Sequence, residues 1–169
     1  VETLVMGFGR NVIGVLFWYG VLGGSGAFLY RLIAELARAW SPSRTTFQPF
    51  GFTAVRILAL LDWLPLRLFS LLIILGKQVG TIFKAVLEQS RSWPLPGPAW
   101  LLCAVGNKLQ IALGGPAIYG EQKSVRAKIG GRIAPAAIHI AQVQSLIAWR
   151  IFVWIALESL LLLLIYRGV

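Results

Sequence analysis

RILALLDWLPLRL, residues 56–68, holds one carboxylate among side chains that prefer hydrocarbon to water. Asp62 is the only aspartate of the chain. A charge inside a segment that inserts into the membrane costs roughly 3 kcal/mol unless it is ion-paired or hydrated. We therefore expect Asp62 to pair with Arg56 or Arg67 and to cap a helix that runs from Trp63 to about Ser90. Pro65, which has no N–H to donate, is expected to kink or restart the helix there.

The composition extends this interpretation to the whole chain. Hydrophobic residues make up 57% of the 169 positions and charged residues only 13%. A soluble domain of this size needs roughly a quarter or more of its surface charged. The sequence therefore predicts an all-α integral membrane protein with about two to four transmembrane or re-entrant helices, accompanied by amphipathic or interfacial helices. Its expected setting is the lipid bilayer of the bacterial inner (cytoplasmic) membrane, as a multi-pass protein.

The net charge of +10 does not indicate a nucleic-acid partner, because the basic residues are scattered singly between apolar runs. Such an excess is typical of cytoplasmic loops near anionic lipid. One cysteine and one histidine allow neither an intrachain disulfide nor the usual zinc site. We predict no metal and no other cofactor.

A single membrane domain is expected over residues 1–169. Its first transmembrane helix is predicted at residues 11–30, which carry no charge. Gly20 and Gly24 stand four residues apart on it, a spacing that lets another helix approach closely. Helix packing is the simpler interpretation of these glycines, and a substrate-facing kink is the alternative.

Residues 52–90 are predicted to form a kinked, amphipathic helical pair. A polar stripe at spacings of 7, 4, 3 and 4 residues lies on its second part and consists of Ser70, Lys77, Thr81, Lys84 and Glu88. The stripe could line a cavity, lie at the membrane–water interface or contact a partner protein. The simpler alternative is that Lys77 and Lys84 extend their ammonium groups to the lipid head groups.

Residues 91–135 are predicted to be a Pro/Gly-rich and basic loop region with one short helix at residues 101–113. The last transmembrane helix is predicted at residues 146–166, with Glu158 inside it, either as a paired structural carboxylate or as a functional one. Because most Lys and Arg lie between Arg31 and Arg132, we expect the centre of the chain to be cytoplasmic.

The segment from Gly114 to Arg132 is the best candidate for binding a phosphate or another anion, since glycine turns expose backbone amides and basic side chains follow them. The candidate residues are Gly114, Gly115, Tyr119, Lys123, Arg126, Lys128 and Arg132. A solvated basic loop on anionic lipid is the alternative. No familiar catalytic motif occurs, so the catalytic residues stay unknown.

Three ordered motifs carry a resemblance to known proteins: Phe17–Arg31, Asp62–Leu68, and Leu113–Gly120 followed by Lys128–Gly130. Together they resemble the CobD/CbiB and AmpE membrane proteins, of which this chain would match about the C-terminal half. No signal-peptide pattern is visible at Val1. We therefore expect the chain to be a piece of a longer protein.

The resemblance implies two functions. CobD/CbiB proteins are adenosylcobinamide-phosphate synthases, which join an aminopropanol phosphate to a cobyric acid carboxyl, whereas AmpE is linked to β-lactamase induction. The synthases tend to carry two adjacent acids where this chain has Leu58 and Ala59. This departure favours a protein nearer to AmpE, or a degenerate CobD-like one, that kept the fold and lost the ligase chemistry. It would act as a signalling modulator or an accessory subunit beside other membrane protein subunits, and a working or diverged synthase is the alternative.

Overall fold

A computed structural model describes residues 1–41, 46, 48–93, 95–119 and 122–168, and the side chains of residues 48, 49, 96, 117–119 and 122–124 lie outside the described part. The elements in chain order are α1 (Glu2–Phe8), a π-helical turn (Gly9–Gly14), α2 (Val15–Ala39), α3 (Gln48–Ile74), α4 (Val79–Gln89), a 3-10 turn (Ser90–Ser92), α5 (Pro96–Leu109), β1 (Ala112–Gly114), β2 (Ala117–Tyr119), β3 (Gln122–Ser124), β4 (Lys128–Gly130) and α6 (Ala137–Arg167).

In the described part of the chain, three helical segments are long and apolar enough to cross a membrane: Glu2–Ala39, Phe50–Ile74 and Ala137–Arg167. The predicted spans at residues 11–30 and 146–166 lie inside the first and the third. The mostly helical membrane fold is therefore confirmed. Helix α6 is longer than its predicted span, because uncharged side chains fix only the part of a helix that prefers lipid.

The first segment reverses its direction at Gly23. This residue has φ 70° and ψ −156°, which is far from helical geometry. In a straight helix Gly14 and Tyr30 would stand about 24 Å apart. Instead, the Tyr30 phenol fills the place that a Cβ at Gly14 would need, and Arg31 donates a hydrogen bond to Asn11. The segment is therefore a helical hairpin and not the single transmembrane helix predicted at residues 11–30, and its two arms pack together because Gly14 has no side chain.

Helix α3 continues through Asp62 and Pro65, so the prediction that Asp62 caps a new helix is wrong. The proline cannot donate to the carbonyl four residues earlier, which belongs to Leu61. The indole Nε1 of Trp18 donates to that carbonyl at 3.3 Å instead. A side chain from the hairpin thus replaces the missing backbone bond, and the helix passes the proline without ending.

The break in the predicted helical pair lies later, between Ile74 and Val79. Gly76 has φ 115° and Gln78 has φ 61°, both in the left-handed region. At the end of α3, Lys108 Nζ lies 3.1 Å from the Leu75 carbonyl, and Arg150 Nη2 donates to the same oxygen at 2.7 Å. These cations suit the negative end of the helix dipole.

The break also divides the predicted polar stripe. Ser70 is buried on α3 and its hydroxyl donates to the Leu66 carbonyl at 2.5 Å. Lys77 lies in the connection before α4, whereas the exposed members Thr81, Lys84 and Glu88 lie on α4. The sequence spacing had assumed one uninterrupted helix.

Helix α5 forms the centre of the core and packs against α3. Residues 101–105 are at most 2% exposed. The helix occupies residues 96–109 rather than the predicted 101–113, because the chain turns at Gln110 with φ 59°. Apolar side chains alone could not reveal this turn.

The predicted loop region at residues 91–135 contains this helix and two short antiparallel strand pairs. Strand β1 pairs with β4, with Leu113 opposite Ile129. Strand β2 pairs with β3, with Ile118 opposite Lys123. Gln89 fastens the first pair to the helices, since its Oε1 accepts hydrogen bonds from the Gly130 N–H at 2.8 Å and from Asn107 Nδ2 at 2.9 Å.

The two glycines predicted to pack helices have different surroundings. A Cβ at Gly20 would collide with Glu158 of α6, so Gly20 is a point of close helix approach. A Cβ at Gly24 would meet nothing within 4 Å. The spacing of four residues did not put both glycines against another helix, because the reversal at Gly23 separates them.

Candidate functional site

A buried carboxylate joins three parts of the chain. Asp62 is 0% exposed, and its Oδ2 accepts a 3.0 Å hydrogen bond from Nε of Arg10 in the π-helical turn. Its Oδ1 accepts a 2.5 Å hydrogen bond from the Tyr30 hydroxyl of α2. Both carboxylate oxygens therefore have donors, which is the condition for burying such a group.

The partner of Asp62 differs from the prediction. Arg10 lies 52 residues away in sequence and forms the ion pair. Arg56 is exposed, and Arg67 lies over the rings of Trp63 and Trp100 at 4.5 and 4.8 Å. The expectation of a local pair with Arg56 or Arg67 considered only neighbours along one helix.

The π-helical turn brings Arg10 to α3. Gly9 allows this approach, because a Cβ there would lie 2.7 Å from Leu101 Cδ2 and 2.9 Å from Leu66 Cδ2. Stretches of π-helix are frequent at functional sites. The turn thus holds an arginine between the buried Asp62 and a cavity.

That cavity has a volume of about 640 Å³ and lies where α1, the π-helical turn, α2 and α3 meet. Arg10, Arg31 and Arg38 line it, together with Glu35 and Asn11. Thr3, Met6, Gly7, Ala34, Ala37, Val55, Leu58 and Leu95 complete the lining. We call this cavity the basic cleft. Its volume is typical of small-molecule sites.

The charges of the basic cleft do not balance. Glu35 lies 2.6 Å from Arg31 Nη2 and 3.6 Å from Arg38 Nη1, and so opposes two guanidinium groups. The charge of Arg10 is countered by Asp62 behind it. With Arg10 neutralised by Asp62, two guanidinium groups face the single carboxylate of Glu35, which leaves an excess of one positive charge. The basic cleft therefore favours an anion, and guanidinium groups match phosphate and carboxylate oxygens in shape.

A second cavity of about 360 Å³ adjoins the basic cleft. Thr3, Met6, Arg10 and Leu95 line both. Arg126 enters from the connection after β3, where it lies 5.2 Å from the Trp93 ring and 3.6 Å from a Glu2 oxygen. The other Glu2 oxygen accepts the Gly114 N–H at 2.7 Å. The strand region is thereby attached to the first helix.

The predicted anion-binding residues are only partly brought together. Gly114 presents its amide to a carboxylate of this chain, and Arg126 reaches the second cavity. Gly115 has φ 94°, while Lys128 and Arg132 are exposed. The side chains of Tyr119 and Lys123 lie outside the described part. That this segment binds an anion stays a prediction.

The sequence signal for the basic cleft is the glycine cluster of the first predicted span. Gly20, Gly23, Gly24 and Gly26 all lie inside the first predicted span, between Arg10 and Arg31. A reversal of the helix at this cluster brings residues from its two sides together, as the hydrogen bond from Arg31 to Asn11 shows. Within the described residues, no group of three His, Cys, Asp or Glu side chains is placed to hold a metal.

Comparisons with known proteins give one consistent result. The model of the family described as CobD/Cbib protein matches residues 1–147. "Cobalamin biosynthesis protein CobD" of Stutzerimonas stutzeri is 32% identical over 167 residues, which are 99% of this chain and 53% of the relative. The protein of the same name from Chromobacterium violaceum is 29% identical over 158 residues, covering 94% of this chain and 51% of the relative.

The chain thus spans about half the length of these curated relatives. They bear the name CobD rather than AmpE, which corrects the expectation of a protein nearer to AmpE. No solved structure gives a significant match. A family match over 147 of 169 residues is decisive, and the chain belongs to the CobD/Cbib family of membrane proteins.

Proposed function

We propose that this chain acts in cobalamin biosynthesis as part of an adenosylcobinamide-phosphate synthase of the CobD type, and that the basic cleft binds its phosphate-bearing substrate. The observation that carries the proposal is the family match, which includes every residue of the basic cleft. The names of the relatives favour this function over a protein that has lost its chemistry.

The chemistry of the basic cleft agrees with the proposed substrate class. Aminopropanol phosphate is small and anionic, and it would meet the guanidinium groups of Arg31 and Arg38. Arg10 would reach the same anion while Asp62 and Tyr30 hold it in place. In this assignment the arginines bind and orient the phosphate, and the amine is left free to react with a carboxyl group.

The identity of residue 58 argues against synthase activity, because this chain has a leucine there. It is 4% exposed and lines the basic cleft at a position where synthases tend to carry an acid. If such an acid moves protons during amide formation, its replacement would leave binding intact and slow the reaction. The loss of ligase chemistry, with a role as accessory subunit, is therefore the second candidate.

A chimera separates the two candidates. This chain would replace the matching half of the Stutzerimonas stutzeri CobD protein in a bacterial strain that lacks its own synthase, and growth that depends on cobalamin would be measured. We expect the chimera to restore growth. A chimera that reaches the membrane in parental amounts but leaves the strain unable to grow would support the loss of chemistry.

Two variants of the chimera test whether its growth depends on the basic cleft. Arg31→Gln combined with Arg38→Gln should weaken substrate binding roughly tenfold or more, because hydrogen bonds to charged groups contribute about 1.5–3 kcal/mol each. Arg91→Gln removes an equally basic side chain that lies on the 3-10 turn and does not line the basic cleft, and it should leave growth unchanged. Equal growth of all three chimeras would argue against a substrate in the basic cleft.

A further inference from the structure

Glu158 is the only charged residue between Arg150 and Arg167 on α6. It lies eight residues from the first arginine and nine from the second, which places it about 12–14 Å from either along the helix. A carboxylate this far inside an apolar span is costly unless a proton, a cation or water compensates it. Among the described residues, no Lys or Arg forms an ion pair with it.

The fold makes specific room for this side chain. Its Oε1 occupies the place of a Cβ at Gly20, just before the hairpin reverses at Gly23. Its Oε2 accepts a 2.9 Å hydrogen bond from Trp154 Nε1, one turn earlier on α6. The carboxylate is therefore fixed against two helices and does not extend toward the membrane surface.

Glu158 lies in a groove of about 450 Å³ between α2, α3 and α6. We call it the α6 groove. Its other lining residues are almost all apolar and include Phe17, Leu72, Trp154 and Leu161. A concave apolar site with one convergent polar group is the usual form of a small-ligand site, and the volume is within the usual range of about 300–1,000 Å³.

We propose that the α6 groove binds a lipid-soluble monovalent cation, whose charge Glu158 neutralises and whose apolar body contacts Phe17, Leu72 and Leu161. Charge complementarity favours this class of ligand, because no other described residue that lines the α6 groove carries a charge to compensate Glu158. An anion would be repelled. Phe17 and Trp154, whose ring centroids are 6.5 Å apart, both line the groove, and aromatic rings attract cations. The site is separate from the basic cleft and does not depend on the function proposed for it.

Binding of tetraphenylphosphonium tests the proposal. The 169-residue chain would be placed in lipid nanodiscs, and binding of the radiolabelled cation would be measured by equilibrium dialysis against protein-free nanodiscs. Triphenylphosphine oxide, which is neutral and similarly bulky, is the matched ligand. We expect saturable binding of the cation and much weaker binding of the neutral compound. No binding above that of empty nanodiscs, or equal binding of both compounds, would overturn the proposal.

Two pairs of variants locate the site. Glu158→Gln keeps an acceptor for Trp154 and should weaken binding of the cation at least about tenfold, the loss of one charge-assisted contact. Glu88→Gln changes an exposed carboxylate of α4 and should have no effect.

Leu161→Trp should block the α6 groove, whereas Leu164→Trp alters a residue of similar exposure on the same helix, 60% against 59%, that does not line the groove. Unchanged affinity in both Glu158→Gln and Leu161→Trp would refute the site.

Discussion

The Tyr30 hydroxyl donates a 2.5 Å hydrogen bond to Oδ1 of Asp62, and both side chains are buried. This bond joins the returning arm of the hairpin to α3, and the same carboxylate holds Arg10 from the outgoing arm. One aspartate thus fixes both arms of the hairpin and the position of an arginine in the basic cleft. Stability and ligand binding are therefore expected to change together when this group is altered.

Tyr30→Phe should lower the free energy of unfolding by about 1–3 kcal/mol, because the buried Asp62 oxygen loses its donor. Unfolding in detergent, followed by tryptophan fluorescence, measures this change. Tyr19→Phe is the control, since Tyr19 is 55% exposed and should change stability very little. Equal stability of the two variants would mean that the phenol of Tyr30 does not support the carboxylate.

The ion pair between Arg10 and Asp62 should behave as a coupled unit. In a double-mutant cycle with Arg10→Met and Asp62→Ala, we expect a coupling energy of about 1–3 kcal/mol, within the range of residues in direct contact. The half-exposed pair of Arg31 and Glu35 at 2.6 Å, one turn apart on α2, is the comparison, and its coupling should be only about 0.3–0.5 kcal/mol. If the coupling energy of Arg10 and Asp62 were as small as that of Arg31 and Glu35, the buried ion pair would not have this structural role.

These contacts explain what the sequence could predict and what it could not. The apolar runs identified the membrane class and part of α6, because transfer into lipid depends on local composition. They did not reveal that the first run reverses at Gly23. The partner of Asp62 was predicted wrongly, since the hairpin brings Arg10 from 52 positions away. Pro65 was expected to break α3, but Trp18 supplies a donor to the Leu61 carbonyl from another helix. Tertiary contacts decided both outcomes, and spacing along one segment does not contain them.

Gly14→Ala should destabilise the hairpin by roughly 1–3 kcal/mol, the usual cost of overpacking a closely packed contact. The added methyl group would collide with the Tyr30 ring. Gly24→Ala adds the same methyl group where nothing lies within 4 Å and is the matched control. Thermal unfolding in detergent measures both variants. If Gly24→Ala were the more harmful of the two, the arms would not pack at Gly14.

Gln89→Ala should loosen the β1–β4 strand pair, because the Gly130 N–H and Asn107 lose a shared acceptor. The expected loss is about 1–3 kcal/mol for the unsatisfied groups. Hydrogen exchange of the Gly130 amide should become faster than in the wild type. Gln142→Ala on the exposed surface of α6 is the control, and unchanged exchange in Gln89→Ala would refute the role of this side chain.

Cys103 should resist thiol reagents as long as α5 stays folded. The side chain is 0% exposed, and burial raises the pKa of the thiol to about 12. Because the thiolate is the reactive form, a raised pKa keeps the thiol unreactive from neutral pH to about pH 9. Maleimide labelling in detergent should be slow in the native chain and fast after denaturation. Thr81→Cys in a Cys103→Ala background places a thiol on the exposed face of α4 and should react at once. Rapid native labelling of Cys103 would mean that α5 opens readily and does not form a stable core.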